Sequence, residues 1–195
     1  MPIVRRTALV VAVVTGLACS GGDVTLDVDL LSFLTDSGAR PDPRADYALP
    51  APTTDLLLRG VEIVAPTEAR LLEVIDDLTV VREGTLFYEI EAANRKGSAD
   101  ATVEIRLASS RDALDAAESI VDGIDLALLP GETTSADGRV ALSDEQVALF
   151  ANDRVWMAVD ADLRIGAATA PDDSVAGRFR LRGLDVRVVA REDFF

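Results

Sequence analysis

The chain has 195 residues and a formal net charge of −15, from 34 acidic and 19 basic side chains. Nucleic acid is excluded as a partner, because phosphate binding depends on clustered basic residues and none are clustered here. The sequence has no histidine and a single cysteine, which excludes Ser-His-Asp and Cys-His catalysis and histidine-containing zinc sites. Carboxylate chemistry is the class of catalysis that stays open.

The first 18 residues are predicted to be a secretory signal peptide. Arg5 and Arg6 precede an uncharged apolar run, residues 7–17, which is far shorter than the roughly 20 residues that a membrane-spanning helix requires. The run ends in Gly-Leu-Ala-Cys at residues 16–19. This tetrapeptide resembles the lipobox of bacterial lipoproteins, with glycine in the place of the usual leucine.

The resemblance implies that Cys19 is diacylated and becomes the mature N-terminus, so that residues 19–23 form a lipidated anchor. Two acyl chains hold a protein stably at a membrane. Ser20 stands in place of the aspartate that retains some lipoproteins in the inner membrane, which implies an outer-membrane location in an organism with two membranes. The alternative is a secreted protein cut near Ala18, with Cys19 as a free thiol.

Cleavage would leave 177 residues, and residues 24–195 are enough for one domain with a sizeable core. Residues 24–30 alternate apolar and polar side chains with the period of a strand. Residues 35–55 are rich in Pro and Asp and predict a long loop that crosses the sandwich surface, with Tyr47 and Leu49 as its anchors. A segment that docks on a partner is the alternative, and it makes Tyr47 a candidate interaction residue.

The middle of the chain predicts strands that are joined by tight turns. The clearest unit is a hairpin whose arms alternate on either side of an Asn-Arg-Lys-Gly turn at residues 94–97. A helical turn after Ser110 leads into a further strand, which a second hairpin joins to residues 139–142. The predicted strands of this region are 56–64, 72–81, 85–91, 101–107 and a segment that ends at Leu129.

The last third of the chain contains one helix signal and two strands. Ser143 to Gln146 is a capping box, in which the serine hydroxyl and the glutamine side chain satisfy amide groups at a helix start. Residues 155–163 and about 177–190 read as strands. Together the elements predict an all-β, antiparallel β-sandwich with an immunoglobulin-like layout and one or two short helices, and a barrel is the alternative.

Two segments repeat an Arg-Gly step inside an alternating strand pattern. In each, the apolar positions change phase at the glycine, Gly60 in the first segment and Gly183 in the second. An extra residue in one strand of a pair exchanges the two faces, and glycine tolerates the backbone conformation this requires. We therefore predict β-bulges near Gly60 and Gly183.

Two pairs of carboxylates are the candidates for chemistry. Asp27 and Asp29 share one strand face, and Asp160 and Asp162 share another. Paired acids serve glycoside hydrolysis or bind calcium, whereas the simpler interpretation is a solvated strand face that opposes aggregation. The single tryptophan, Trp156, is predicted opposite the core stripe of its strand, either packed under a loop or available for an interaction.

Glycine-rich phosphate loops, Gly-x-Ser-x-Gly and Cys-x-x-Cys are absent, so we predict no cofactor and no metal site. The leading hypothesis is a membrane-anchored, non-enzymatic lipoprotein of the cell envelope that acts as a structural or protein-interaction module. A carrier for a lipid or another apolar ligand is the alternative. A carboxylate-based hydrolase is the third, and it requires two acids that converge in a cleft.

Overall fold

The computed structural model describes residues 23–34, 42–70, 80–121, 123–150, 154–167 and 174–191. The predicted signal peptide and residues 19–22 of the predicted anchor lie outside these ranges, as do residues 35–41 of the predicted loop and most of the predicted strand 72–81. The described residues form nine β-strands, two α-helices and a 3₁₀ helix. The strands are β1 (Asp23–Asp29), β2 (Arg44–Leu49), β3 (Leu56–Arg70), β4 (Val80–Lys96), β5 (Ala99–Ala108), β6 (Ile124–Leu128), β7 (Thr133–Ala141), β8 (Arg154–Ile165) and β9 (Val175–Arg191), and the helices are α1 (Arg111–Leu114), α2 (Asp144–Leu149) and the 3₁₀ helix Leu30–Leu34.

The strands pack as two antiparallel sheets. In the described residues, sheet A has the order β1-β9-β4-β7, and β2 pairs with β9 beside β1. The long strand β9 holds both short strands along one edge, because its residues 175–180 pair with β2 and its residues 185–191 pair with β1. Sheet B has the order β3-β8-β5-β6.

The strand order follows from one long hairpin that is wrapped into two layers. Strand β2 pairs with β9, β3 with β8, β4 with β7 and β5 with β6, and the pairs β4-β9 and β5-β8 then close the two sheets. This is the connectivity of a jelly roll. The predicted all-β antiparallel sandwich with one or two short helices is confirmed. The jelly-roll strand order is a more specific description of this sandwich than the predicted immunoglobulin-like layout.

Both predicted hairpins are wrong, although their strands exist. Strand β4 lies in sheet A and β5 in sheet B, and β6 and β7 are likewise in different sheets. The turns therefore carry the chain from one layer to the other. Alternation assigns the faces of a strand but not its partner, and the partners here are distant in sequence.

The turn between β4 and β5 depends on Gly97. Its φ of +69° lies in the left-handed region, and a Cβ atom there would lie 2.6 Å from the carbonyl oxygen of Ser174. Glycine is required by both the backbone conformation and the close approach of a neighbouring chain segment.

The predicted loop at 35–55 contains a strand, which corrects that prediction. Arg44–Leu49 forms β2 and pairs with β9 over its whole length. Pro43 and Pro50 flank the strand instead of interrupting it, and an edge strand tolerates proline at its ends. The two predicted anchors are confirmed, because Tyr47 is buried and Leu49 packs against the core.

The bulges predicted at the two Arg-Gly steps are confirmed. Strand β3 has one extra residue between Leu58 and Val61 relative to β8, and Gly60 has a φ of +67°. Strand β9 has an extra residue between Leu181 and Gly183 relative to β4. Gly183 has no positive φ, so the two bulges differ in backbone conformation.

Local hydrogen bonds define the two short helices as predicted. The Ser110 hydroxyl accepts from the backbone N–H of Ala113 at 3.2 Å and caps α1. In α2 the Ser143 hydroxyl accepts from the Gln146 N–H, and the Gln146 side chain accepts from the Ser143 N–H at 2.9 Å. The capping box is confirmed.

The core lies between the two sheets. Each central strand contributes its inward residues, and many of these are fully buried, including Leu86, Ile90, Ile105, Val159 and Phe179. Burial of such side chains stabilises the fold by roughly 1.5–3 kcal/mol each.

Candidate interaction surface

The outer face of sheet A carries the first pair of predicted acids, and the fold uses both. Asp27 forms an ion pair with Arg187 across the β1–β9 pair, with 2.7 Å between Oδ1 and Nε. Asp29 Oδ1 accepts from the backbone N–H of Leu31 at 3.0 Å. One acid therefore joins two strands, and the other satisfies an amide at the start of the 3₁₀ helix.

The second pair of acids lies on the outer face of sheet B. Asp160 pairs with Arg106 on the adjacent strand β5, and Arg106 also donates to the carbonyl oxygen of Leu114 in α1 at 3.4 Å. Asp162 Oδ1 accepts from the N–H of Gly60 at 2.9 Å and so holds the predicted bulge. The two acids serve two separate structural contacts.

Among the described residues, no group of three or more His, Cys, Asp or Glu side chains is arranged to hold a metal ion. The same part of the chain contains no helix that is long and apolar enough to cross a membrane.

Four arginines on the outer face of β9 form what we call the arginine ladder: Arg178, Arg180, Arg182 and Arg187. Each pairs with a carboxylate on a neighbouring strand or loop, in the order Asp46, Asp42, Glu91 and Asp27. The side chains are substantially exposed, so each pair contributes little stability by itself. The ladder links β1, β2 and β4 to β9 along the outer face of sheet A.

Asp46, which pairs with Arg178 of the arginine ladder, accepts hydrogen bonds from two arginines. Arg178 donates to both of its carboxylate oxygens at 2.9 Å, and Arg95 donates to Oδ1 at 2.9 Å. The hydrogen bond from Arg178 lowers the pKa of Asp46 below its usual value, and the same contact raises the pKa of Arg178. The acid therefore remains ionised when the solution is moderately acidic.

The outer face of sheet B has a row of three acids. Asp160 stands in β8 directly between Glu62 of β3 and Glu104 of β5. Like charges that are directly opposite on adjacent strands destabilise a sheet, and among the described residues Arg106 compensates the charge of Asp160 alone in this row. This face is therefore more strongly acidic than the face with the arginine ladder.

Trp156 packs beside helix α1. It joins a small cluster with Ala108, Leu114, Ala117 and Ala158, which lies on the outer side of sheet B. The predicted position opposite the core stripe is confirmed, since Val155 and Met157 on either side of it point into the core. Its half-buried ring attaches the helical segment to the sheet.

Tyr47, the other candidate interaction residue, is in the core. Its ring packs on Phe179 with 5.1 Å between centroids, and its hydroxyl donates to Asn94 Oδ1 at 3.2 Å. Burial raises the pKa of Tyr47 to about 12. The structure places this side chain among packing residues, not on the surface.

Asn94 is buried, although its sequence context predicts only a turn. Its side-chain amide donates to the carbonyl oxygens of Gly97 at 2.6 Å and Leu128 at 3.1 Å. Its backbone N–H donates to Glu132 and its carbonyl accepts from Gly131. Asn94 thus joins the ends of β4 and β6 with the connection to β7, and a turn-forming asparagine gave no signal of this long-range role.

Sequence comparison yields no match to a protein-family model and none to a curated protein. Solved structures with a similar fold include the VP2 subviral particle of infectious bursal disease virus, with TM-score 0.40 and 8% identity over 96% of this chain and 42% of that chain. The Gx strain of that virus gives TM-score 0.38 and 8% identity over 88% and 38%. A tobacco streak virus coat protein gives TM-score 0.21 and 12% identity over 78% and 89%. The chain spans about two fifths of the length of the bursal disease virus chains.

Proposed function

We propose that the protein is a cell-envelope lipoprotein that is held at a membrane by acyl chains on Cys19. Its β-sandwich acts as a structural or protein-interaction module. The observation that carries the proposal is the short distance in sequence between the lipobox and the folded body. Strand β1 begins at Asp23, only four residues after Cys19, so an extended tether of this length spans at most about 14 Å.

A non-enzymatic role is supported by what the candidate carboxylates do. Asp27 and Asp160 pair with arginines, and Asp29 and Asp162 accept backbone amide hydrogens. Each acid holds part of the sandwich together, and the two pairs are on the outer faces of different sheets. A hydrolase would need two of them in one cleft.

The anchor is tested by growing cells with labelled palmitate and comparing the full chain with its Cys19→Ser variant. We expect label in the wild-type chain and none in the variant, and a shift of the variant from the membrane fraction to the soluble fraction. Cys19 precedes the first strand, so the variant should retain the same β-sheet circular dichroism. An unlabelled wild-type chain, or a variant that stays in the membrane fraction, contradicts the anchor.

The module is tested separately by crosslinking intact membranes, purifying the chain and identifying proteins and lipids by mass spectrometry. A protein that is recovered reproducibly with the wild-type chain supports an interaction module. A stoichiometric lipid without a protein supports the carrier function instead.

A further inference from the structure

Strand β7 is the long, regular open edge of sheet A. It pairs with β4 over nine residues without a register shift, and in the part of the chain that the structure describes no strand pairs with its other side. Strand β3, an edge strand of sheet B, is less regular than β7, because it has three register shifts along its pairing with β8. Bulges of this kind protect an edge from pairing with another chain, and β7 has none.

The inward face of β7 is less buried than the inward face of its partner β4. Its inward residues Ala136 and Val140 are only partly buried. Their partners on β4, Ile90 and Leu86, are fully buried. A further strand beside β7 would complete the burial of this layer.

The charges on β7 are self-complementary. Asp137 and Arg139 are exposed on the outer face, and within the described ranges neither has an ion-pair partner, whereas every arginine of the ladder on β9 has one. If a second β7 runs antiparallel with Gly138 opposite Gly138, each Asp137 faces an Arg139 of the other copy. A shift of the centre to Asp137 or to Arg139 would place identical charges opposite each other, which destabilises a sheet.

Gly138 also suits the centre of such a pair. A Cβ atom at this position would lie 2.5 Å from the Tyr88 hydroxyl oxygen, because the Tyr88 ring covers the glycine on the inner face. Residues directly opposite in this register share a face, so the apolar residues Ala136 and Val140 also face each other on the inner side.

We propose that β7 is a homodimerisation edge, at which a second copy of this chain pairs antiparallel about Gly138 and joins the two A sheets into one. The contact is isologous and closes after two copies. Main-chain hydrogen bonds supply affinity in such strand addition, and the two reciprocal Asp137–Arg139 pairs select the register. The inference goes beyond the proposed anchor and does not depend on acylation.

Paired cysteines test the register in the full chain. Ser135 and Ala141 are both exposed, and they would be directly opposite in the Gly138-centred dimer, whereas in one chain they are about 20 Å apart. We expect the Ser135→Cys/Ala141→Cys variant to form a disulfide-linked dimer on oxidation, at least ten times more than the Thr133→Cys/Ala141→Cys variant, which matches a register centred on Asp137. All variants are also made with Cys19→Ser, so that a disulfide through Cys19 is not counted. No dimer, equal crosslinking of the two variants, or higher polymers overturn the proposal.

Charge exchange tests the same contact without a disulfide. Asp137→Arg and Arg139→Asp should each weaken dimerisation about tenfold in sedimentation velocity, because each puts like charges opposite each other, and the double variant should restore it. Circular dichroism checks that the exposed substitutions leave the fold intact. A double variant as weak as the singles, or a wild-type chain that stays monomeric at all concentrations, overturns the proposal.

Discussion

Asn94 illustrates how one buried polar side chain organises an end of the sandwich. Its amide donates two hydrogen bonds to main-chain carbonyls of two other segments, and its oxygen accepts from Tyr47. A buried amide is stabilising only when all its partners are present. The residue therefore couples β4 and β2 of sheet A to β6 of sheet B.

We predict that Asn94→Asp is strongly destabilising although it preserves the shape of the side chain. A carboxylate cannot donate to the carbonyl oxygens of Gly97 and Leu128, so both main-chain acceptors lose their donor and a charged group is buried. We expect the free energy of unfolding in urea at neutral pH to fall by about 3 kcal/mol. Exposed Ser98→Asp is the control for the added charge, and an equal effect of the two substitutions would contradict the role of Asn94.

Tyr47 predicts a pH dependence of stability in the alkaline range. Its folded-state pKa of about 12 lies above the usual value of 10.0 because the ring is buried. The folded state therefore holds this proton more tightly, so the contribution is present below pH 10 and is lost as pH rises toward 12. We expect a loss of about 2 kcal/mol at pH 12 from this group. Tyr47→Phe should reduce the slope of stability against pH between 10 and 12, and an unchanged slope would refute the assignment.

Among the strands, the two bulges have the same effect on side-chain direction but differ in backbone conformation. Both exchange the faces of a long strand, so that apolar residues remain inward on either side of the step. Gly60 adopts a left-handed conformation that a side chain disfavours. Gly183 does not, and a Cβ there would meet Glu89 at an ordinary contact distance of 3.5 Å.

We therefore predict different costs for the same substitution at the two Arg-Gly steps. Gly60→Ala should lower the free energy of unfolding by about 1–2 kcal/mol through backbone strain. Gly183→Ala should change it by less than about 0.5 kcal/mol. Gly166→Ala is a control, since this glycine has an ordinary φ and open space around it. Thermal and urea unfolding measure the differences, and equal costs at Gly60 and Gly183 would show that φ is not the cause.

For the whole molecule, the distribution of charge distinguishes the two outer faces. The arginine ladder neutralises acids on sheet A, while sheet B has the row Glu62, Asp160 and Glu104. A formal net charge of −15 adds self-repulsion to the folded state. Part of this repulsion is concentrated in one row of side chains.

Removing the two outer acids of that row should stabilise the protein at low salt. We expect Glu62→Gln/Glu104→Gln to raise the free energy of unfolding by about 0.5–1 kcal/mol at low ionic strength, with the gain shrinking as salt screens the row. The Glu118→Gln/Glu132→Gln variant removes the same net charge from exposed loop positions and controls for the overall effect. A gain of the same size in both variants would assign the repulsion to the net charge and not to the row.

The two proposals together constrain the orientation of the molecule at a membrane. In the proposed dimer the two-fold axis is perpendicular to the joined sheet. The N-termini of the two β1 strands therefore lie at opposite ends of the dimer but at the same position along this axis. Two short tethers can then reach one bilayer only if the sheets lie parallel to it. Since β1 belongs to sheet A, that sheet would face the membrane, and the acidic face of sheet B would face away from anionic headgroups.

Features that depend on neighbouring residues could be predicted from the amino-acid sequence alone. Period-two alternation identified most strands and their faces, a phase change at Arg-Gly identified both bulges, and Ser143 with Gln146 identified a helix start. These signals are local, because each depends on residues within a few positions of one another.

Strand pairing and the contacts of the polar residues, in contrast, depend on the packing of the whole fold. Strand β4 pairs with β7 and β9 and not with β5, Asn94 bonds across 34 residues to Leu128, and Asp162 holds a bulge 102 residues away. Such contacts are selected by packing two sheets around one core, and alternation is equally compatible with many partners. The open edge of β7 belongs to the same class, since a strand becomes an edge only when the whole strand order is set.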